Sequence, residues 1–307
     1  MKMNELVPKC RNCDANQKSQ KVRAHFVYGG SSGHKFWRCE ECDLVYLNPP
    51  LSEKEEQMFY ANEFESFMEN RSSNDRDWSG PEEHIRTNQD QVKRRWKFLE
   101  NYINEGRDVL EIGCSSGFMM DAFKNAKANC IGIEPSGGFS EFLKEKGHEC
   151  YDDIITLKKK YPRKKFDLIV HFFVLEHISD TKKFITDQLA MLKSGGFIIA
   201  EVPCVNDPLT SLYKIPAFEK FYWSIAHHYY FSPKSISNIL DTLNCSYEII
   251  PEQRYDLSNH IVWLNDGKPG GQGYYNDTFS KELLNKYKND LIKNWLCDTM
   301  FIYIKNN

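Results

Sequence analysis

Asp108-Val109-Leu110-Glu111-Ile112-Gly113-Cys114-Ser115-Ser116-Gly117 is the stretch whose reading decides the fold. Its first five residues form a short, largely apolar run, and this reads as a buried strand. The strand passes directly into a turn bounded by glycines, and residues 118–127 then read as a helix. Glycine permits a tight strand-to-helix turn and lets a ligand approach the backbone without meeting a Cβ. Glu134 follows 21 residues after Gly113, at the end of a second apolar run over 129–133. A carboxylate at that point can accept hydrogen bonds from ribose hydroxyls.

Outward from this unit, strand and helix alternate. Residues 138–146 read as a helix, 149–151 as a short strand, 166–171 as a strand, 181–192 as a helix and 196–202 as a fifth strand. Strands separated by helices imply parallel crossovers, so the expected fold class is α/β with a Rossmann-like doubly wound sheet. Ligands of such sheets lie at the carboxyl ends of the strands. Upstream, 85–102 reads as a helix with Val92, Trp96 and Leu99 on one face. Downstream, Ser232-Pro233 opens a helix to residue 243, with serine as cap and proline at the first helical position. Residues 246–250 and 299–304 are expected to form a closing pair of strands. The segment 256–297 between them is too long for a hairpin loop and reads as an insertion.

A glycine loop with a downstream acid also suits NAD. The dinucleotide fingerprint requires glycines at relative positions one, three and six, whereas this chain has Gly113, Ser115 and Phe118. Glu111 stands just before the turn, where a carboxylate can meet the cationic end of a ligand. Both features disfavour a pyrophosphate site.

At the amino end, Cys10-Arg11-Asn12-Cys13 and Cys39-Glu40-Glu41-Cys42 are two C-x2-C knuckles with 25 residues between them. Two knuckles close a tetrahedral thiolate site, so Cys10, Cys13, Cys39 and Cys42 are expected to hold a structural Zn2+ in a small ribbon, with strands near 22–28 and 35–38. Asn48-Pro49-Pro50 ends that ribbon, because consecutive prolines stop strand pairing. Residues 51–67 read as a helical linker with Met58, Phe59 and Tyr60 available for packing, and 69–81 as a polar, irregular cover. The expected organisation is therefore ribbon 1–50, helical linker or lid 51–84, core 85–255, and insertion with closing strand 256–307.

Forty basic and forty-three acidic residues leave a formal charge of -3, which argues against nucleic acid as partner. No apolar run approaches the roughly 20 residues that cross a bilayer, and the first residues lack the apolar core of a signal peptide. The ten cysteines are then expected to be cytoplasmic thiols or metal ligands.

Five motifs in order give the central part of the chain a family resemblance. They are Val109-Leu110-Glu111-Ile112-Gly113-Cys114-Ser115-Ser116-Gly117, Gly132-Ile133-Glu134-Pro135, Phe166-Asp167-Leu168-Ile169-Val170, Val174-Leu175-Glu176-His177-Ile178 and Leu192-Lys193-Ser194-Gly195-Gly196. Together they resemble class I S-adenosylmethionine-dependent methyltransferases. The resemblance implies that S-adenosylmethionine is the cofactor. It implies that Glu111, Gly113, Cys114 and Gly117 surround its methionine part, that Glu134 holds the ribose, that Asp152 or Asp153 lies near the adenine, and that Phe173 lines the site. The knuckles with Cys42-Asp43-Leu44-Val45-Tyr46-Leu47-Asn48-Pro49 further resemble zinc-ribbon methyltransferases of bacterial sugar and surface-glycan pathways. In that group the segment before Tyr-Phe-Ser commonly reads Glu-His; here it is Ala226-His227-His228-Tyr229-Tyr230-Phe231-Ser232.

Methyl transfer to a hydroxyl benefits from a base, and imidazole titrates in the useful range. His177 after the fourth strand is the first candidate, with Glu201 at the end of the fifth expected to orient it. His227 and His228 are alternatives, and His260, Trp263 and Tyr229 are read either as acceptor contacts or, in preference, as core packing of the insertion. The expected reaction is O-methylation of a small hydroxylated acceptor, a sugar or sugar nucleotide, in glycan or natural-product biosynthesis. The alternatives are C- or N-methylation of a deoxysugar, ribosomal RNA methylation, and an inactive zinc-ribbon adaptor. Asn48-Pro49-Pro50-Leu51 is similar to a motif of amino-group methyltransferases but stands outside that motif's position after the fourth strand.

Overall fold

Side-chain parity along the central strands explains the architecture. Successive residues of a strand face opposite sides of the sheet. In β4 (Asp108–Ile112), β7 (Phe166–Phe172) and β8 (Leu192–Pro203), Val109, Leu168, Val170 and Ile199 enter one apolar cluster. Their neighbours Leu110, Ile112, Ile169, Ile198 and Ala200 enter another. A sheet apolar on both faces must be covered on both. The helices Gln89–Leu99 and Phe118–Asn125 cover the first face through Leu99, Phe118, Met119 and Phe123. The helices Thr181–Leu189 and Pro233–Leu240 cover the second through Ile185, Ile236 and Ile239.

The protein is described by a computed structural model over residues 7–58 and 80–307. The expected packing of Phe59 and Tyr60, and the cover over 69–79, lie outside the described residues; the helix Glu53–Met58 opens the expected linker. The main sheet also contains β5 (Asn129–Ile133), β6 (Glu149–Tyr151), β10 (Cys245–Glu252) and β11 (Thr299–Asn306). Its order is β10-β11-β8-β7-β4-β5-β6. The pairs β4–β5, β4–β7, β5–β6 and β7–β8 are parallel, and β11 alone runs against its neighbours. From β4 the chain builds first toward β6 and later toward β8. The carboxyl end of β4 is therefore a topological switch point, where ligands of open α/β sheets bind.

A second sheet is made of β1 (Gln20–Ala24), β2 (Lys35–Cys39), β3 (Val45–Asn48) and β9 (Tyr229–Tyr230), all antiparallel. β1 ends at Ala24, short of the expected residue 28. The fourth strand comes from the core, so the ribbon is completed by residues far outside 1–50. Its cysteines Cys10, Cys39 and Cys42 join the same apolar cluster as Ile198 and Phe231. Against the smaller sheet, the helices Pro208–Ser211 and Pro216–Tyr222, absent from the sequence reading, bury Leu209, Phe218 and Tyr222 in one cluster with Phe36 and Trp263. The insertion is two helices, Leu257–Asp266 and Lys281–Lys293, capped by Asp256 and Ser280. Among the described residues no helix is long and apolar enough to cross a membrane.

His171 in β7 is 1% exposed, its ring edge-on to Phe184, and neither ring nitrogen has a hydrogen-bond partner among the described residues. Burial pushes its pKa down from 6.5 to about 3. The folded chain thus holds the neutral ring, while the unfolded chain binds a proton below pH 6.5. The contribution is complete above that pH and falls by about 1.4 kcal/mol per unit as the pH drops toward 3. His171→Phe is expected to flatten this loss. Urea midpoints at pH 7 and pH 5 should differ less in the variant than in the parent, and equal differences contradict the assignment.

Candidate functional site

The loop after β4 is shaped by left-handed backbone at Gly113 (φ +71°) and Gly117 (φ +80°). A Cβ on Gly113 would lie 2.6 Å from Cγ2 of Val174, so only glycine fits there. The amides of Gly113 and Cys114 both donate to the carbonyl of Ile133, at 2.8 and 3.2 Å. Glu134, 7% exposed at the end of β5, accepts from the Ser115 amide through Oε2 (2.6 Å) and from the Ser136 amide through Oε1 (2.9 Å). A carboxylate has about four acceptor positions, so two amides leave capacity for hydroxyl donors. The Cys114 side chain is buried, and a Cβ on Gly132 would lie 2.6 Å from its Sγ. Cys114 thus offers the ligand side its backbone rather than its thiol.

Glu111 is fully enclosed in β4, and its Oε2 has no hydrogen-bond partner among the described residues. Burial raises its pKa to about 8, against the pull of the Arg95 guanidinium. An ammonium or sulfonium ligand would hold this group in its charged form. Asp153 is committed as the cap of the helix Ile154–Lys160, accepting from the Thr156 amide at 2.6 Å. Asp152 accepts from Ser140 Oγ (2.7 Å) and Lys144 Nζ (3.2 Å), which hold its pKa below the usual range. Phe173 follows β7 in left-handed backbone (φ +58°), with the Arg254 guanidinium 4.5 Å over its ring.

Glu201 does not orient His177. It is buried and ion-paired to Arg94 Nη2 (2.7 Å) and Arg95 Nε (3.1 Å) from the helix Gln89–Leu99. The reason is parity: Glu201 shares its face of β8 with Ile199, the face which that helix covers. His177 instead has Nδ1 2.7 Å from the Ala226 carbonyl. A carbonyl can only accept, so the proton belongs on Nδ1 and the lone pair on Nε2.

The His227 ring stands edge-on to His177 at 4.7 Å. Glu176 completes the group: ligand atoms of Glu176, His177 and His227 all lie within 4.8 Å of one another. Glu176 has no exposed surface, and burial with the nearby Glu201 charge raises its pKa to about 8. Neither of its carboxylate oxygens has a hydrogen-bond partner among the other described residues. His228 is buried, and its amide donates to the Glu176 carbonyl at 2.8 Å, which docks this segment against the turn after β7.

Tyr229, Trp263 and His260, read from sequence as acceptor contacts or as packing, are all buried among other side chains. Tyr229 pairs with Tyr46 and donates to the Ser179 carbonyl (2.7 Å). Trp263 packs on Phe218 and Phe221, and His260 Nδ1 lies 2.5 Å from the Tyr287 hydroxyl. Sequence reading passed over Glu176, Arg94, Arg95 and Arg254. The adjacent arginines beside Trp96, on an otherwise inward-facing stripe, were the available signal.

Four sulfurs meet in the ribbon, with Cys10–Cys42 at 3.6 Å, Cys13–Cys39 at 3.7 Å and all four within 4.8 Å. Zn–S bonds of about 2.3 Å in a tetrahedron place sulfurs roughly 3.8 Å apart, so the set fits zinc.

A family model described as a methyltransferase domain matches residues 83–248. Among curated proteins, a ubiquinone biosynthesis O-methyltransferase of Bradyrhizobium sp. (strain ORS 278) is 33% identical over 98 residues, 31% of this chain and 39% of that protein. The protein of the same name from Nitrobacter winogradskyi is 34% identical over 99 residues, covering 31% and 38%. The matched stretch thus spans about two fifths of these relatives. Among solved structures, a SAM-dependent methyltransferase from Archaeoglobus fulgidus superposes with a TM-score of 0.50 at 22% identity, covering 73% of this chain and 97% of that one. That likeness is one of fold.

The buried charges generate a stability prediction. Arg95→Met leaves Glu201 with one guanidinium and Glu111 with none, so it is expected to cost about 3–5 kcal/mol. Urea denaturation measures this, and a loss under about 1 kcal/mol contradicts the role given to the pair.

Proposed function

The chain belongs to the methyltransferase-domain family, and from that premise we propose that it methylates a hydroxyl of a small acceptor, a sugar or sugar nucleotide. The observation that carries the cofactor half of this reading is Glu134, whose buried carboxylate shapes the glycine loop and retains acceptor capacity at the end of β5. When bound, S-adenosylmethionine would supply a sulfonium methyl group to which an acceptor oxygen bonds as the opposite C–S bond breaks, leaving the neutral thioether S-adenosylhomocysteine. Glu134 takes the ribose hydroxyls, the Gly113–Gly117 backbone cradles the methionine part, and Glu111 answers its positive charge. Asp152, which is held by Ser140 and Lys144 and caps no helix, would lie toward the adenine, and Phe173 would close the wall after β7.

The acceptor side is assigned to Glu176, His177 and His227, with His228 behind them. The Ala226 carbonyl holds the His177 proton on Nδ1, so Nε2 is the nitrogen that takes the acceptor's proton. The shared name of the curated relatives favours O-methylation over C- or N-methylation. The knuckles followed by Cys42-Asp43-Leu44-Val45-Tyr46 favour a sugar, while the relatives' name favours a phenolic ring as the second reading. Cys10, Cys13, Cys39 and Cys42 are read as a structural zinc site with no open position. Thiolates kept for a metal rather than for disulfides favour reducing surroundings, which supports a cytoplasmic reading.

Calorimetry and turnover test the reading together. The full chain is expected to bind S-adenosylmethionine, and a labelled methyl group should pass to nucleotide sugars in preference to phenols. His177→Ala should lower turnover by about 100-fold or more with cofactor affinity nearly unchanged. Absence of cofactor binding at millimolar concentration defeats the enzyme reading, and full turnover by the variant removes His177 from it.

A further inference from the structure

We propose that Glu176, His177 and His227 bind a divalent transition-metal cation, distinct from the ribbon zinc, that holds the acceptor oxygen. This rests on the reading of the acceptor site given above and changes one role in it: with the ion bound, His177 Nε2 is a ligand rather than the base, and the proton of the ion-polarised hydroxyl passes to water. Two separate segments supply the donors. Glu176 and His177 lie in the turn after β7, and His227 lies just before β9. Two hydrogen bonds fasten those segments together: the His228 amide to the Glu176 carbonyl, and His177 Nδ1 to the Ala226 carbonyl. The result is one carboxylate and two imidazoles with ligand atoms within 4.8 Å of one another.

The charge surroundings leave a place for a cation. Glu176 is completely buried, and no other described residue hydrogen-bonds either of its carboxylate oxygens, its own backbone amide being the one donor turned toward them. The nearby guanidinium groups already serve other acids: Arg94 and Arg95 pair with Glu201, and Arg254 pairs with Asp298 at 2.8 Å. A buried carboxylate without partners is costly, and buried charges in proteins are paired or coordinate metals.

His177 carries a further mark of a ligand. Metal-binding histidines donate their second ring N–H to a carboxylate or a backbone carbonyl, which fixes the tautomer and aims the other nitrogen. Here the Ala226 carbonyl is that acceptor. Two imidazoles and a carboxylate suit Zn2+, Mn2+, Fe2+ or Co2+ and leave coordination positions open. The ribbon, with four thiolates, has none. An open position beside the end of β7 is where a hydroxyl oxygen of the acceptor can bind and be polarised.

The test uses the full chain with its ribbon loaded with zinc, and Mn2+ as probe, since thiolates select softer ions. Loss of the free Mn2+ electron-spin-resonance signal reports uptake, and calorimetry with S-adenosylmethionine runs on the same sample. One equivalent of Mn2+ is expected to bind. Glu176→Gln should weaken it at least tenfold, as should His227→Ala, with cofactor affinity unchanged within about threefold. The partly exposed His227 carries the comparison if Glu176→Gln does not fold. Cofactor binding without Mn2+ uptake at millimolar concentration overturns the ion site and leaves the methyltransferase reading standing. Uptake that survives both substitutions also overturns it. Mn2+ uptake without cofactor binding instead sustains the site and defeats the methyltransferase reading.

Discussion

The Glu134 carboxylate accepts the amides of Ser115 and Ser136, and the glycine loop proposed to receive the cofactor depends on that clasp. It ties the loop leaving β4 to the loop leaving β5, two parallel strands whose ends would otherwise project unpaired amides. The Ile133 carbonyl adds a second tie through the amides of Gly113 and Cys114. A loop held at these points from the neighbouring strand is organised before any ligand arrives, which lowers the entropic cost of binding. Glycine at 113 is the local condition for this, because Val174 occupies the space of a Cβ.

A second constraint lies one strand pair away. Glu201 is buried on the face of β8 covered by the helix Gln89–Leu99, and Arg94 and Arg95 of that helix neutralise it. The Arg95 guanidinium also lies 4.2 Å over Phe172 and lowers the pKa of Glu111 against burial. One helix therefore sets the electrostatics beside the glycine loop. On the proposed acceptor side the ribbon has a comparable influence. β3 pairs with β9, and His227 and His228 immediately precede β9, so the four-cysteine module helps to place the histidine segment.

The strands beginning at Asp108, Asn129, Glu149 and Phe166 were legible from sequence, because alternation and glycine turns are local signals. The glycine loop, Glu134 and the four cysteines were legible for the same reason: motif spacing encodes them. β9 was not, since two residues pair with Val45 and Tyr46 through tertiary packing alone. β8 begins at Leu192 because Ser194-Gly195-Gly196, a turn by composition, sits within the strand. The short helices at Pro208 and Pro216 were missed although proline stands at the first helical position of each. The partner of Glu201 was misassigned because chain order placed it near His177, whereas strand parity turns it toward Arg94 and Arg95. Glu176 was hidden inside a motif in which only the histidine had an evident chemical role.

The central claim is that the ends of β4 and β5 together receive the cofactor, and hydrogen–deuterium exchange with and without S-adenosylhomocysteine tests it most directly. The account predicts slowed exchange at residues 111–117 and 134–136 when the ligand is added, with the ribbon cysteines unaffected. Unchanged exchange in both segments under saturating ligand, or protection confined to other parts of the chain, would contradict it.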